Sequence, residues 1–222
     1  MKLELSKPII YLITRGATDD ATTAESPEFQ HILLQVSAAV AAGVPLIQLR
    51  EKKLTTRVLF ELTERAVRLT HKTATRILVN DRADVARAAG ADGVHLTTRS
   101  IDVGTIRKTF GKEFLIGAST HTPAEARAAR AGGANFIVFG PIFPTTSKEK
   151  YGSALGLDSL REVARELTHF PVLALGGIGI KNAHDCLRAG ASGIAGISLF
   201  NEPERMQSIA AALRPFAKGV TK

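Results

Sequence analysis

The stretch AGGANFIVFGP, residues 131–141, joins the end of a predicted helix to a buried strand. Gly133 suits the left-handed residue that ends a helix, because glycine has no side chain to clash in that conformation. Phe136 to Phe139 are four apolar residues without polar alternation, a run typical of a strand covered on both faces in a parallel sheet. Gly140 and Pro141 then end the strand. The stretch therefore predicts a helix, a short turn and an inner strand.

The same arrangement occurs four times along the chain. The copies read AAGVPLIQL, AAGADGVHL, AGGANFIVF and AGASGIAGI, and their glycines, Gly43, Gly90, Gly133 and Gly190, are about 43 to 57 residues apart. Each copy precedes an even-numbered strand, so the repeated unit is strand, helix, strand, helix. Four units predict a single-domain (β/α)8 TIM barrel over residues 1–222. An open doubly wound sheet is the alternative, but no glycine-rich dinucleotide fingerprint follows the first strand.

We place the elements by their apolar periodicity. The predicted strands are 9–14, 46–50, 76–80, 93–96, 114–119, 136–141, 171–177 and 193–198, and amphipathic helices are predicted at 27–42, 55–74, 123–131 and 157–168. The longest polar stretches, 15–28 and 145–154, follow the first and sixth strands. Barrel enzymes carry their chemistry on this face, where the strands end.

Composition and charge narrow the function classes. The 222 residues carry a formal net charge of +8, and 45% of them are hydrophobic. Because the cations are scattered and aromatic residues are few, we expect small phosphorylated substrates and no nucleic acid. The single Cys186 excludes an internal disulfide and a cysteine-rich zinc site. Without a signal-peptide core or a membrane-spanning run, the protein is expected to be cytoplasmic with no membrane partner. The sequence is compatible with a homo-oligomer.

The end of the second strand carries two cations and an amide. Alternation along Gln48-Leu49-Arg50-Glu51-Lys52 turns Gln48, Arg50 and Lys52 into the barrel, and turns Leu49 and Glu51 outward. Cations aimed into a barrel mouth are costly unless an anion meets them. An anionic ligand is therefore predicted, and a charged strand end in solvent is the plain alternative.

The third and fifth strands also end in polar residues. Asn80 and Asp81 suit a hard cation such as Mg²⁺, or equally well the N-cap of the next helix. Ser119 and His121 could serve a substrate hydroxyl or a proton transfer. His121 precedes Thr122-Pro123, however, and this context is more typical of a residue that leads into a helix.

The loops after strands six to eight predict phosphate binding. Thr145, Thr146, Ser147 and Lys148 offer donors for phosphate oxygens. Gly176-Gly177 at the end of strand seven and Ser198 at the end of strand eight lie where such barrels usually bind phosphate, on backbone amides bared by glycine.

In this order, the motifs QLREK, NDRADVA, GADGVHL, GASTH, GPIFPTTSK, LALGGI and GASGIAGIS resemble thiamine phosphate synthases over nearly the whole chain. The resemblance implies a transferase of thiamine biosynthesis. Such an enzyme joins hydroxymethylpyrimidine diphosphate to thiazole phosphate, releasing pyrophosphate with Mg²⁺ through a pyrimidine cation. The growing charge on the leaving group would need cations already in place.

The resemblance also implies a role for each matching residue. Pyrophosphate would be held by Arg50, Lys52, Asn80 and Lys148, and Mg²⁺ by Asp81. The pyrimidine end would be lined by Gln48 and Ser119. Thiazole phosphate or pyrophosphate would meet Thr145 and Ser147, with Gly177, Ile197 and Ser198 completing the cradle.

Two positions depart from the family pattern. After GVHL the family usually has Gly-Gln followed by two acids, one of them a second Mg²⁺ ligand, whereas this chain has Thr97-Thr98-Arg99-Ser100. Asp102 could replace that ligand, substrate oxygens and water could complete the site, or Arg99 could supply positive charge instead. The first strand ends in Thr14-Arg15, where the family commonly has an acid.

Two other functions compete with synthesis. The related thiazole tautomerases share the barrel and the GxSxH motif, and would use His121 for proton transfer. The missing acid favours them, whereas the intact QLREK and TTSK motifs favour the synthase. A non-catalytic paralogue that binds phosphate ligands or a protein partner is the third hypothesis.

Overall fold

Eight parallel strands close into a barrel in the computed structural model, which describes residues 8–145 and 154–214. The strands are β1 (Ile9–Ile13), β2 (Leu46–Leu49), β3 (Arg76–Asn80), β4 (Gly93–Leu96), β5 (Leu115–Thr120), β6 (Phe136–Phe139), β7 (Val172–Ala174) and β8 (Gly193–Gly196). The helices are α1 (Pro27–Ala41), α2 (Thr56–Thr70), α3 (Ala83–Ala88), α4 (Val103–Phe110), α5 (Pro123–Ala131), α6 (Gly156–Glu166), α7 (Ile180–Arg188) and α8 (Met206–Leu213). Short 3-10 helices, Ser198–Phe200 and Pro203–Arg205, lie between β8 and α8. The predicted (β/α)8 TIM barrel is confirmed.

The four repeated glycines end helices as predicted. Gly43, Gly90, Gly133 and Gly190 follow α1, α3, α5 and α7 with φ of 65°, 75°, 93° and 105°. In the first copy the amide of Gly43 donates to Val40 O and that of Val44 to Ala39 O, each at 2.9 Å. These bonds satisfy carbonyls that the helix end would otherwise leave bare, and they turn the chain into the next strand.

Strand β7 falls furthest short of its predicted length, while β6 and β8 each end two residues earlier than predicted. We expected it to continue to Gly177, but it ends at Ala174. Gly176 and Gly177 have φ of 102° and 63°, left-handed values that an extended strand does not adopt. The two glycines therefore belong to the loop after β7, on the face predicted to carry the chemistry.

One apolar layer fills the inside of the barrel, and a second lies between the strands and the helices. Tyr11, Leu46, Leu78 and Phe136 belong to a cluster that fills the barrel, and Leu49 belongs to a larger cluster between the strands and the helices. Burying each large apolar side chain contributes about 1.5–3 kcal/mol. Because alternate residues of a strand share a face, Leu46 inside the barrel puts Gln48 inside, and Leu78 does the same for Asn80. The inward prediction for Gln48 and the outward one for Leu49 are confirmed.

Within the described ranges, none of the helices has the length and apolar character needed to cross a membrane. The cytoplasmic location and the oligomeric state stay predictions.

Candidate active site

A chain of hydrogen bonds links the polar ends of β2 and β3. Gln48 Nε2 donates to Asn80 Oδ1 at 3.0 Å, and Asn80 Nδ2 donates to Asp81 Oδ2 at 3.0 Å. Ser100, in the loop after β4, donates its hydroxyl to Asp81 Oδ1 through a short bond. Three neighbouring strands thus place their polar ends together at one rim, as the sequence predicted for Gln48, Asn80 and Asp81.

One acceptor in this series of hydrogen bonds, Gln48 Oε1, has no partner among the described residues. Gln48 is only 2% exposed, and its Oε1 atom has no hydrogen bond within the part of the chain that the structure describes. A buried carbonyl oxygen without a donor costs roughly 1–3 kcal/mol, so such atoms are uncommon in proteins. The atom is ready to accept a hydrogen bond from a ligand at the barrel mouth.

Asp81 projects from a left-handed turn. Its φ is 58°, and its amide donates to His95 O of β4 at 3.0 Å. Helix α3 begins after Arg82 without any side-chain cap. The alternative interpretation, in which Asn80 or Asp81 caps that helix, is therefore wrong. A non-glycine residue held in a left-handed conformation is often found at a functional site.

Three charged side chains lie near Lys52. The pKa of Lys52 is lowered by partial burial and by the charges of Arg50 and Arg99, while the carboxylate of Asp81 raises it. These four groups are therefore close enough to interact electrostatically. Positive charge exceeds negative charge at this rim, which is the condition for binding a polyanion. Arg50 and Arg99 both interact with Lys52, and the use of Arg50 and Lys52 as one anion site stays a prediction.

Asp102 is held by its own helix. Its Oδ1 accepts from the amide of Thr105 at 2.9 Å, and its Oδ2 from the Thr105 hydroxyl at 2.6 Å. These bonds make it the N-cap of α4 and lower the pKa of its carboxyl. Its use as a second metal ligand stays a prediction. Within residues 8–145 and 154–214, no three His, Cys, Asp or Glu side chains are grouped as metal ligands.

Glu51 plays a part that alternation alone did not indicate. It points away from the lumen, as predicted, but is 3% exposed and lies under the loop after β1. Its Oε1 accepts from the Thr14 hydroxyl at 2.6 Å and the Gly16 amide at 3.1 Å. Its Oε2 accepts from the Thr18 hydroxyl at 2.7 Å and the Thr18 amide at 3.4 Å. Glu51 therefore fastens this loop between Arg50 and Lys52.

Two further residues were missed inside the barrel. Tyr11 OH lies 3.1 Å from His95 Nδ1, and His95 Nε2 lies 2.9 Å from Ser119 Oγ. Burial, helped by the charge of Arg50, lowers the pKa of His95 to about 3, so the ring is neutral at ordinary pH. The sequence feature that could have indicated them is a polar side chain in each of two otherwise apolar strands, Tyr11 in β1 and His95 in β4.

His121 leads into α5, as its context indicated. Its amide donates to Glu125 Oε2 at 2.6 Å, and Thr122 is the N-cap of the helix. The ring nitrogen Nδ1 makes a short contact with Gly140 O at the end of β6. The ring is thus held against the neighbouring strand end through Nδ1.

The loops after β6 and β7 fit closely together. A Cβ atom at Gly177 would lie 2.6 Å from Pro144 O, and one at Gly176 would lie 2.5 Å from Pro141 Cβ. The amide of Gly179 already donates to Asn182 Oδ1 at 2.8 Å, so it is not free for a phosphate. The glycines therefore allow a close approach of the two loops at the predicted phosphate side.

The remaining predicted residues divide between described and undescribed parts of the chain. Ile197 packs at the top of the inner cluster, and Ser198 is exposed at the start of a 3-10 helix. Thr145 is partly buried after β6. Ser147 and Lys148 lie outside the described residues.

Known proteins resemble this chain in sequence and in fold. The profile of the family described as thiamine monophosphate synthase matches residues 10–200. A putative thiamine-phosphate synthase of Geobacter sulfurreducens is 46% identical over 188 residues, covering 83% of this chain and 88% of that protein. The thiamine-phosphate synthase of Methanospirillum hungatei is 38% identical, covering 86% and 91% of the two chains. The structure of thiamine phosphate pyrophosphorylase from Pyrococcus furiosus has a TM-score of 0.76 and 29% identity, covering 97% of this chain and 98% of that one. The chain belongs to the thiamine monophosphate synthase family.

Proposed function

We propose that this protein is a thiamine phosphate synthase that condenses hydroxymethylpyrimidine diphosphate with thiazole phosphate. The observation that carries the proposal is the cluster of charges at the barrel mouth, where Lys52 interacts electrostatically with Arg50, Arg99 and Asp81. Its substrate is expected to be a small molecule rich in negative charge, and relatives that share 38–46% of their aligned residues are named for this reaction.

The proposed chemistry breaks one bond and forms another. The bond between the pyrimidine methylene carbon and the diphosphate oxygen breaks, and its electron pair leaves with pyrophosphate. The pyrimidine cation that remains then bonds to the thiazole ring of the second substrate. Negative charge grows on the leaving oxygen as the first bond stretches, so cations fixed near that oxygen lower the barrier.

Arg50 and Lys52 are the residues proposed to supply this charge. Both follow β2, on either side of the buried Glu51, so the loop that Glu51 fastens limits their freedom to move. A cation whose position is already fixed needs little rearrangement when the leaving group gains charge. We propose that Lys148 and Asn80 bind the same pyrophosphate. The residues proposed to bind the thiazole phosphate or the pyrophosphate are Thr145, Ser147, Gly177, Ile197 and Ser198.

Gln48 and Ser119 are proposed to bind the pyrimidine. Gln48 Oε1, which has no partner among the described residues, can only accept hydrogen bonds, so it selects a ligand with an N–H or O–H group at that point. Binding such a donor would relieve the cost of an unsatisfied buried oxygen, and a ligand without the donor would not. A donor group attached to the pyrimidine ring is therefore expected to face Gln48.

A magnesium ion fits the donors at this rim. Mg²⁺ is usually held by one or two carboxylates together with substrate phosphates and water, and Asp81 supplies an exposed carboxylate beside the proposed pyrophosphate site. When bound, the ion would neutralise part of the charge on the leaving group. Asp81 is the proposed protein ligand, and substrate oxygens and water would complete the coordination.

A coupled assay with both phosphorylated precursors tests the proposal. We expect pyrophosphate release, reduced by roughly 10²–10³-fold in Arg50→Ala and in Lys148→Ala. Lys112→Ala is the matched control, because Lys112 is exposed at the opposite end of the barrel, before β5. It should keep full activity.

Two outcomes would contradict the synthase. Isomerisation of the thiazole phosphate alone, abolished by His121→Ala, would identify a tautomerase. A protein inactive in both assays that still binds thiazole phosphate in calorimetry would be the non-catalytic paralogue.

A further inference from the structure

Three side chains form a line of hydrogen bonds from the barrel interior to its mouth. Tyr11 of β1 is fully buried, His95 of β4 is 2% exposed, and Ser119 of β5 reaches the rim. The Tyr11 hydroxyl lies 3.1 Å from His95 Nδ1, and His95 Nε2 lies 2.9 Å from Ser119 Oγ. A neutral imidazole carries one proton, so it donates through one nitrogen and accepts through the other.

The burial of Tyr11 decides which nitrogen carries that proton. Within residues 8–145 and 154–214, His95 is the only hydrogen-bonding partner of the Tyr11 hydroxyl. If Nδ1 carried the proton, the phenol could only accept from it, and its own hydrogen would be buried without an acceptor, at a cost of roughly 1–3 kcal/mol. If Tyr11 donates to Nδ1, the hydrogens of the Tyr11 hydroxyl and of His95 Nε2 both have an acceptor. His95 is then protonated at Nε2 and donates to Ser119 Oγ.

The surrounding packing fixes the ring in this position. Phe136 packs edge-to-face against Tyr11, with ring centroids 5.3 Å apart, and its centroid is 6.1 Å from that of His95. Gly117, which pairs with His95 across the sheet, leaves the space that the ring occupies. A Cβ atom at Gly117 would lie 2.7 Å from His95 Nδ1 and 2.4 Å from Phe136 Cζ. Any side chain at position 117 would therefore displace the imidazole.

We propose that Tyr11 and His95 are positioning residues that hold Ser119 as a hydrogen-bond donor toward the substrate. Because Ser119 Oγ accepts from His95, its own proton cannot point at the ring and is left for an acceptor at the mouth. That acceptor would be an oxygen or ring nitrogen of the pyrimidine diphosphate, and in this respect the inference rests on the proposed function. If His95 were instead protonated at Nδ1, Ser119 would donate to Nε2, and its oxygen would accept a hydrogen bond from the substrate.

The tautomer is measurable without any substrate. In protein labelled with ¹⁵N at histidine, we expect the nitrogen spectrum of His95 to show a protonated Nε2 and an unprotonated Nδ1. Tyr11→Phe removes only the hydroxyl that donates to Nδ1, so it should keep the fold and weaken the preference for the Nε2–H form. A wild-type ring protonated at Nδ1 would overturn the proposal.

Kinetics test the link to Ser119. Tyr11→Phe is expected to lower kcat roughly tenfold and to change KM less than about twofold. Adding Tyr11→Phe to Ser119→Ala should cause no further loss, because the hydroxyl that the line orients is gone. A further tenfold loss in the double variant would show that Tyr11 acts only through packing, and would overturn the proposal.

A second pair of variants tests His95 itself. The amide nitrogen of glutamine can lie near the place of Nε2, so His95→Gln should retain more of kcat than His95→Leu, whose side chain donates nothing. Equal losses in the two variants would contradict the proposal. Failure of the wild-type protein to release pyrophosphate would count against the proposed function, while the nitrogen spectrum would still decide the tautomer.

Discussion

Glu51 and Asp81 are carboxylates at the same rim, after neighbouring strands, and they are held in different ways. Glu51 is 3% exposed and accepts from two hydroxyls and two amides of the loop after β1. The Asp81 carboxylate is exposed, accepts hydrogen bonds only from Asn80 and Ser100 among the described residues, and interacts electrostatically with Lys52. The loop after β1 supplies the hydrogen bonds of the Glu51 carboxylate, whereas the Asp81 carboxylate is available to a ligand.

The same distinction applies across the mouth. Asp102 has its hydrogen bonds completed by the protein, whereas Gln48 Oε1 has no partner in the described ranges. Groups of the first kind should affect stability when they are changed, and groups of the second kind should affect substrate binding or turnover. The following predictions test this distinction.

Asp81→Asn should have the largest effect on turnover. Removing one charge-stabilising group at a reaction centre typically costs about 10²–10³-fold in rate, and we expect a loss of pyrophosphate release in that range. Because the group is exposed, the free energy of unfolding in urea should change by less than about 0.5 kcal/mol. A stable variant with full activity would show that Asp81 does not serve the reaction.

Glu51→Ala should mainly destabilise the fold. It leaves four donors of the loop after β1 without their acceptor, and we expect a loss of about 2–4 kcal/mol in the free energy of unfolding. Glu51→Gln keeps one acceptor oxygen and should cost about half as much. Urea unfolding measures both. A Glu51→Ala protein of wild-type stability would contradict the anchoring role.

His95 should make stability depend on acid pH. Its pKa in the folded state is about 3, against about 6.5 when unfolded, so the unfolded chain binds the extra proton. The contribution is complete above about pH 6.5 and decreases as the pH falls toward 3. Between pH 6.5 and 5 we expect wild type to lose about 1.5 kcal/mol more than His95→Gln, measured by urea unfolding at each pH. Parallel pH profiles would contradict the burial of a neutral ring.

Gln48→Leu should weaken substrate use. Loss of one hydrogen bond to the pyrimidine would lower kcat/KM roughly tenfold, mainly through KM for the pyrimidine diphosphate. Stability should change by less than about 1 kcal/mol, because the variant loses the bond to Asn80 but also removes an unsatisfied buried oxygen. An unchanged KM would mean that the Oε1 atom does not meet the substrate.

Asp102→Ala should have the smallest effect. Loss of the N-cap of α4 should lower the melting temperature slightly, and pyrophosphate release should stay within about twofold of wild type. A hundredfold loss of activity, recovered at high Mg²⁺ concentration, would instead identify Asp102 as the second metal ligand.

The fold could be predicted because its signals are local and repeated. Helix-ending glycines such as Gly43 and Gly190 and short apolar runs such as Phe136 to Phe139 set the order of the elements. Alternation within β2 was enough to place Gln48 inside and Leu49 outside. The end of β7 was misplaced because left-handed glycines can follow an apolar run without any break in its hydrophobicity.

The site was less predictable because its contacts cross the barrel. Glu51 meets Thr14 and Thr18 from 37 and 33 positions away, and Tyr11 meets His95 from 84 positions away. No local pattern shows such pairs before the barrel closes. Asp102 was different, because an aspartate just before a helical pattern is a common N-cap residue that can be recognised from the sequence. Its bonds to Thr105 could have been foreseen.

The close fit between Gly177 and Pro144 has a consequence for engineering this barrel. Any larger residue at position 177 would meet the Pro144 carbonyl, so the two segments cannot be redesigned one at a time. A chimera that borrows the segment after β6 from another barrel should also borrow the segment after β7. The two segments should therefore be transferred together as one unit.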